Sequence, residues 1–105
     1  MSAIVISSAV MEKLRRKHGV TRLEVVECFH NREGIFLIDD REPHRRHPPT
    51  LWFVAETSKR RLLKVVLQMR KGIFRIITAY EPNPVEMHIY ETKGKYQGDG
   101  GGDEG

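Results

Sequence analysis

The sequence predicts an α+β fold in which two N-terminal helices pack on a four-stranded antiparallel β-sheet. A helical pattern with capping residues occupies residues 8–30, and several runs of strand composition follow it. Two of these runs, Leu62–Met69 and Ile73–Tyr80, flank a short turn and predict a hairpin. A chain of 105 residues is long enough for one core of this kind, so we expect a single domain.

The first helix is predicted to begin at Ser7 or Ser8 and to end at Gly19. Apolar residues recur at helical spacing between these positions, and basic residues precede the predicted end. Glycine is the usual residue after a helix because it adopts the left-handed conformation without strain. Ahead of this helix, Ile4–Ile6 has the composition of a short edge strand.

The second helix carries the clearest start signal in the chain. Thr21 and Glu24 have the spacing of a capping box, and Val20 and Val25 can form a hydrophobic staple around it. Cys28 lies further along this helix beside apolar residues, which favours a small core residue over a nucleophile.

The central hairpin turns at Arg70, Lys71 and Gly72, and the loop length decides which residues share a face. A loop of two or four residues is favoured because it separates apolar from polar side chains. It pairs Met69 with Phe74, Leu67 with Ile76, Val65 with Thr78 and Leu63 with Tyr80, and it leaves Lys64, Gln68 and Arg75 on the other face. A three-residue loop with a bulge at Gly72 remains the alternative, and it would place Arg75 on the apolar face.

Further strands are predicted at Ile35–Ile38 and Leu51–Glu56. Prolines end the last strand of the hairpin, and Val85–Tyr90 fits either a helical turn or a short strand. We therefore expect a folded domain over residues 1–92 and a flexible, Gly-rich acidic tail over residues 93–105.

The positive net charge of the chain indicates a polyanionic partner. The net charge is +4, and residues 1–95, with 18 basic and 11 acidic residues, carry +7. Such a surface suits RNA, DNA or an acidic protein. No hydrophobic run approaches the roughly 20 residues of a membrane span, so we expect no membrane partner and a cytoplasmic location. The single cysteine excludes an intramolecular disulfide, and no motif indicates a cofactor.

Two clusters are candidates for a phosphate-binding site. The first is the loop before the third predicted strand, where histidine can transfer protons near neutral pH and arginine can grip phosphate; a solvated loop is the alternative reading. Two histidines spaced by three residues lack a metal-ligand framework, so no metal is expected. The residues of this loop are Arg41, His44, Arg45, Arg46 and His47.

The second candidate is a polar strip formed by Lys64, Gln68 and Arg75 on one face of the hairpin. Such a strip could hold a phosphate and stabilise the charge that develops during its displacement. An ordinary solvated sheet face is the simpler alternative. Arg75 is the most informative of the three because it interrupts an otherwise apolar strand.

Four short segments together resemble the BrnT toxins, members of the RelE-like ribonuclease superfamily. They match in order and spacing over roughly residues 8–80. The segments are Lys17–Val20, Val25–Phe29, Arg61–Val66 and Phe74–Ala79. The resemblance implies two helices on an antiparallel sheet whose other face binds RNA, metal-independent RNA cleavage, and a cognate antitoxin protein as partner.

By position, Arg75 matches the strand arginine of that family and Arg61 the arginine that opens the preceding strand. Cleavage of this type is attack of a ribose 2′-OH on the adjacent phosphate. Arg75 and Lys64 would hold the phosphate, and His47 would be the base or acid. RNA would also contact Arg41, Arg45, Arg46, Arg61 and Gln68. A non-catalytic RNA- or protein-binding module on the same fold is the alternative function.

Overall fold

Two helices cover one face of a β-sheet, and a third helix covers part of the other face. The computed structural model describes residues 3–39 and 49–95. These residues form an α+β fold, as the sequence predicts. In chain order the elements are β1 (Ala3–Val5), α1 (Ser8–Lys13) with a π-helical continuation (Leu14–His18), α2 (Arg22–His30), β2 (Leu37–Ile38), β3 (Thr50–Glu56), β4 (Leu62–Arg70), β5 (Ile73–Tyr80), α3 (Pro84–Ile89) and a second π-helical segment (Tyr90–Lys95).

The N-terminal helices begin and end where the sequence predicts. Ser7 caps α1 by accepting a hydrogen bond from the Val10 amide, and Gly19 ends the helical segment with a φ of 61°. At α2 the capping box is complete, because the Glu24 amide donates to Thr21 Oγ1 and the Thr21 amide donates to Glu24 Oε1.

The described sheet has five strands instead of the four of the predicted fold class, and the added strand forms where the sequence indicates a short edge strand, near Ile4–Ile6. Its order is β1-β5-β4-β3-β2, and the pairs β2–β3, β3–β4 and β4–β5 are antiparallel, as expected. The N-terminal segment adds a fifth strand, which runs parallel to β5 and makes the described sheet a mixed one. The half-buried Ile4 packs against the core, which explains why so short an edge strand is retained.

The hairpin turn is a two-residue turn, which confirms the even loop. Lys71 and Gly72 both have positive φ, 52° and 80°, as a type I′ turn requires. The pairs Met69–Phe74 and Leu67–Ile76 form as predicted.

Beyond these pairs the predicted register is wrong. A β-bulge between Val66 and Leu67 shifts the pairing by one residue, because one strand of a bulge contributes an extra residue. Val65 therefore faces Ala79, not Thr78, and Tyr80 faces Lys64, not Leu63. The consequence is that Tyr80 joins the polar face of the sheet.

The main core lies between the sheet and the N-terminal helices. Leu63, Val65, Leu67 and Ile76 are buried, as the hairpin pattern predicts. Phe29 of α2 contacts three further aromatic rings with centroids 4.9 to 6.4 Å away, those of Phe36, Phe53 and Phe74. The face predicted to be apolar is thus the face that the helices cover.

The segment after β5 is helical, which settles the choice between helix and strand. Asn83 and Glu86 form a second capping box, and Pro84 occupies the first helical position. The following π-helical segment extends to Lys95, three residues into the segment predicted as tail. Tyr90 anchors it by donating a hydrogen bond to the Ile35 carbonyl. Within the described ranges, no helix has the length and apolar character needed to span a membrane.

Candidate nucleic-acid interface

Of the predicted site residues, the structure describes Lys64, Gln68, Arg75 and Arg61. The remaining four, His47, Arg41, Arg45 and Arg46, lie outside the described residues. The strand register places the three residues of the predicted strip on one face of the sheet. Gln68 lies directly opposite Arg75, and Lys64, four residues before Gln68 on β4, points to the same side of the strand. The two ends of this strip have different surroundings.

Lys64 lies at the sealed end of the sheet face, which we define by Trp52, Lys64 and Tyr80 beneath α3. Lys64 is 1% exposed. Its Nζ donates to Glu86 Oε2 at 2.9 Å and lies 4.6 Å from the centre of the Trp52 ring. The expectation of an exposed Lys64 in the polar strip is therefore corrected, because α3 covers the side chain and Glu86 neutralises its charge.

Glu86 is the centre of the sealed end. Its Oε2 also accepts a hydrogen bond from Tyr80 Oη at 3.1 Å, and its Oε1 accepts one from the Asn83 amide at 3.0 Å. Burial by itself raises the pKa of a carboxyl group, but the hydrogen bonds from Lys64, Asn83 and Tyr80 outweigh burial and hold the pKa of Glu86 below its ordinary value. The carboxylate is thus charged in the folded protein at neutral pH.

Arg75 lies at the open end of the same face, where no helix of the described residues covers the sheet. A shallow pocket of about 220 Å³ marks this end, and its lining residues are Gln68, Arg70, Lys71, Ile73 and Arg75. The side chains of Arg70, Lys71 and Arg75 are exposed and form no hydrogen bond or ion pair with residues 3–39 and 49–95. Ile73 is 43% exposed. The open end thus combines unpaired cations with an accessible apolar surface.

Arg61 joins the helices to the sheet. Its Nη1 and Nη2 donate to the carbonyls of Gly19 and His18, both at 2.9 Å, and its Nε donates to Glu81 at 2.9 Å. The Glu81 hydrogen bond, followed by the contacts with Glu24, raises the pKa of Arg61 above its ordinary value. With all three nitrogens occupied, the side chain stabilises the end of the first helical segment.

Other chemical groups in the described ranges do not gather at the open end. Cys28 is fully buried, and burial, with the nearby charges of Glu24 and Glu27, raises the pKa of its thiol to about 12. This confirms a core position, since the reactive form is the thiolate. In the part of the chain that the structure describes, no group of His, Cys, Asp and Glu side chains could hold a metal ion.

Sequence reasoning missed the role of Glu86 and its partner Tyr80. A signal for Glu86 was present: Asn83, Pro84 and Glu86 have the spacing of a helix start, which would have put Glu86 in the first turn of a helix. The sequence contains no comparable signal for Tyr80. The alternation of residues along the strand predicts the wrong face for it, because the bulge in the hairpin changes the face on which Tyr80 lies.

Comparison with known proteins adds no assignment. No protein-family model matches the chain, and no curated protein matches it significantly.

Proposed function

We propose that the protein binds single-stranded RNA through the open end of the sheet face. The observation that carries this proposal is the contrast between paired and unpaired cations. Lys64 and Arg61 are neutralised by glutamates, whereas Arg70, Lys71 and Arg75 surround one pocket without a partner in the described residues. Unpaired cations are available to phosphate without first breaking an internal ion pair.

The chemistry of the open end matches the RNA backbone better than it matches a small anion. Three cations surround the apolar side chain of Ile73. They can bind successive phosphates of one RNA strand while Ile73 contacts a sugar or a base. The charge of +7 over residues 1–95 attracts the same partner at longer range. Each neutralised phosphate releases a counterion, so the affinity depends on salt concentration.

A toxin-type endoribonuclease is the second candidate. The fold supports it, because helices cover one sheet face and leave cations on the other, which is the arrangement that the BrnT-like resemblance implies. In this reading Arg75 stabilises the negative charge on the phosphate as the 2′-OH attacks. His47 remains the proposed base or acid, and a cognate antitoxin remains the proposed protein partner.

Binding is tested by measuring the affinity for a single-stranded RNA at several salt concentrations. The log-log slope should lose about 0.7 for each phosphate contact removed, so Arg75→Ala and Arg70→Ala should each flatten the slope by about that amount. Arg22→Ala is the matched control, because it removes an exposed arginine from α2 on the opposite face. Equal slopes for Arg22→Ala and Arg75→Ala, or negligible affinity at low salt, would refute the proposal.

Cleavage is tested with the same RNA in the presence of a chelator. If the protein is an endoribonuclease, Arg75→Ala should abolish cleavage and relieve growth arrest on induced expression, with a smaller effect on binding, since a transition-state contact strengthens as charge develops. Salt-sensitive binding without cleavage by the unmutated protein would instead assign it as the non-catalytic binding module.

A further inference from the structure

The exposed surface at the open end continues past Arg75 onto the first strand of the sheet. β1 pairs with β5 in parallel, with Ala3 beside Ile73 and Val5 beside Arg75. Side chains of residues paired in this way point to the same face of the sheet. Val5 is 44% exposed, close to the 43% of Ile73. The cations of the open end therefore adjoin an accessible apolar side chain on β1.

The burial of the residue between them confirms this orientation of β1. Ile4 is paired with Phe74, and both side chains are half-buried and pack against the core beneath the helices. Because side chains alternate along a strand, Ala3 and Val5 point away from that core. Both are exposed, as this requires. Val5 is thus available to a ligand that lies on the open face.

The surface around Gln68 and Arg75 decides the direction in which a bound strand can continue. Toward the sealed end, the next residue of β4 on this face is Val66, which is 8% exposed. Across the sheet to β3, the partner of Gln68 is Thr50, which is 7% exposed. Of the three described neighbours on this face, Val5 alone offers surface for a further nucleotide.

The pattern of charge and apolar surface suits RNA. Arg75 lies between Val5, one strand away at about 4.8 Å, and Ile73, two residues along β5 at about 6.7 Å. Each nucleotide of a single strand supplies a phosphate for a cation and a flat base face that excludes water from an apolar side chain. A polymer of acidic residues would pair with the arginine but leave both apolar side chains in water.

We infer that the RNA strand crosses the sheet from β4 over β5 to β1, and that Val5 is its contact beyond Arg75. This inference rests on the proposed RNA-binding function. In this path Arg70 and Arg75 bind phosphates, and Val5 packs against the base or sugar of the next nucleotide. The path leads away from the ion pair of Lys64 and Glu86, so binding leaves the sealed end closed.

The first test adds a charge beside Arg75. Val5→Lys should steepen the log-log salt dependence of binding to a short oligouridylate by about 0.7, the value for one further phosphate contact. Val85→Lys is the matched control, because Val85 is 67% exposed on α3 and the variant has the same net charge. It should leave the slope unchanged. Edge strands commonly carry lysine, and thermal denaturation checks that both variants are folded.

The second test removes the apolar contact without changing the charge. Val5→Ala should lower the affinity for the same RNA about threefold at every salt concentration, because it removes apolar surface that binding buries. The slope should stay that of the parent protein. Val85→Ala, which shortens a side chain far from the path, should leave both the affinity and the slope unchanged.

Several outcomes would overturn the inference. They are equal slopes for the two lysine variants, equal affinities for the two alanine variants, and a parent dimer that Val5→Lys dissociates in size-exclusion chromatography, since a second copy would then cover β1. The proposed function fails separately. Salt-dependent binding that requires Arg75, with each Val5 variant behaving like its Val85 control, keeps the function and removes the path. Negligible affinity of the parent protein at low salt removes the function itself.

Discussion

The two ends of one sheet face carry the same kind of residue in opposite circumstances. At the sealed end Lys64 is covered by α3 and bound to Glu86, whereas at the open end the Arg75 side chain is exposed and forms no hydrogen bond or ion pair in the described part of the chain. Both side chains extend from the same hairpin. The difference comes from Glu86, which lies 22 positions from Lys64 in the sequence. The role of a cation on a strand is therefore decided by the residues that pack over it.

This difference separates stability from binding. A buried ion pair loses its hydration on folding, and its attraction offsets that cost only while both partners are present. An exposed arginine contributes little to folding, and its charge is available to a ligand. We therefore expect substitutions at the sealed end to change the free energy of unfolding more than substitutions at the open end, and substitutions at the open end to change RNA binding more.

The largest expected effect is the loss of one partner of the buried pair. Lys64→Ala should lower the free energy of unfolding by about 3–5 kcal/mol, because it leaves Glu86 charged, buried and without its cation. Arg75→Ala should change it by less than about 0.5 kcal/mol, as is usual for surface positions. Urea denaturation of both variants measures the difference. Equal midpoints would contradict the distinction between the two ends.

A double-mutant cycle sharpens this result. Lys64→Met combined with Glu86→Leu removes both charges together, so the cost should be smaller than the sum of the two single substitutions. Additive losses would show that the two side chains act independently and that the ion pair does not hold α3 on the sheet.

The second effect compares two isoleucines of β5. Ile76 is 2% exposed beneath the helices, while Ile73 is 43% exposed at the open end. Ile76→Ala should cost about 2–5 kcal/mol because it removes buried surface and leaves a cavity. Ile73→Ala should leave the urea midpoint nearly unchanged. A similar loss for both would mean that the open end is covered in solution.

The sequence predicted the parts of the fold that depend on local signals. The capping box at Thr21 and Glu24, the end at Gly19 and the turn at Lys71 and Gly72 each involve residues close together in the chain. The apolar face of the hairpin followed from alternation. These features formed as expected because local propensity and burial favour the same structure.

The parts that failed depend on distant neighbours. A bulge is set by how two strands twist together, so alternation alone did not reveal the shift that moves Tyr80 beside Lys64. The burial of Lys64 follows from the placement of α3, and its polar character on a strand suggested an exposed face instead. Of the candidate site, Arg75 and Gln68 were correctly placed on one face of the hairpin, whereas the burial of Lys64 under α3 was not predicted.

The smallest expected effect concerns pH and isolates Glu86. Its pKa in the folded protein lies below the ordinary value of 4.5, so above that value the group is charged in both states and its contribution to stability is complete. As the pH falls below 4.5, the unfolded chain takes up the proton first, and this contribution is lost through the lowered folded pKa. The stability difference between the parent protein and Glu86→Gln should therefore be largest above pH 4.5 and shrink toward pH 3. Glu91→Gln is the control because it removes an exposed carboxylate that forms no hydrogen bond or ion pair within the described ranges. A difference between parent and Glu86→Gln that stays constant over this pH range would show that the carboxylate does not stabilise the sealed end through its charge.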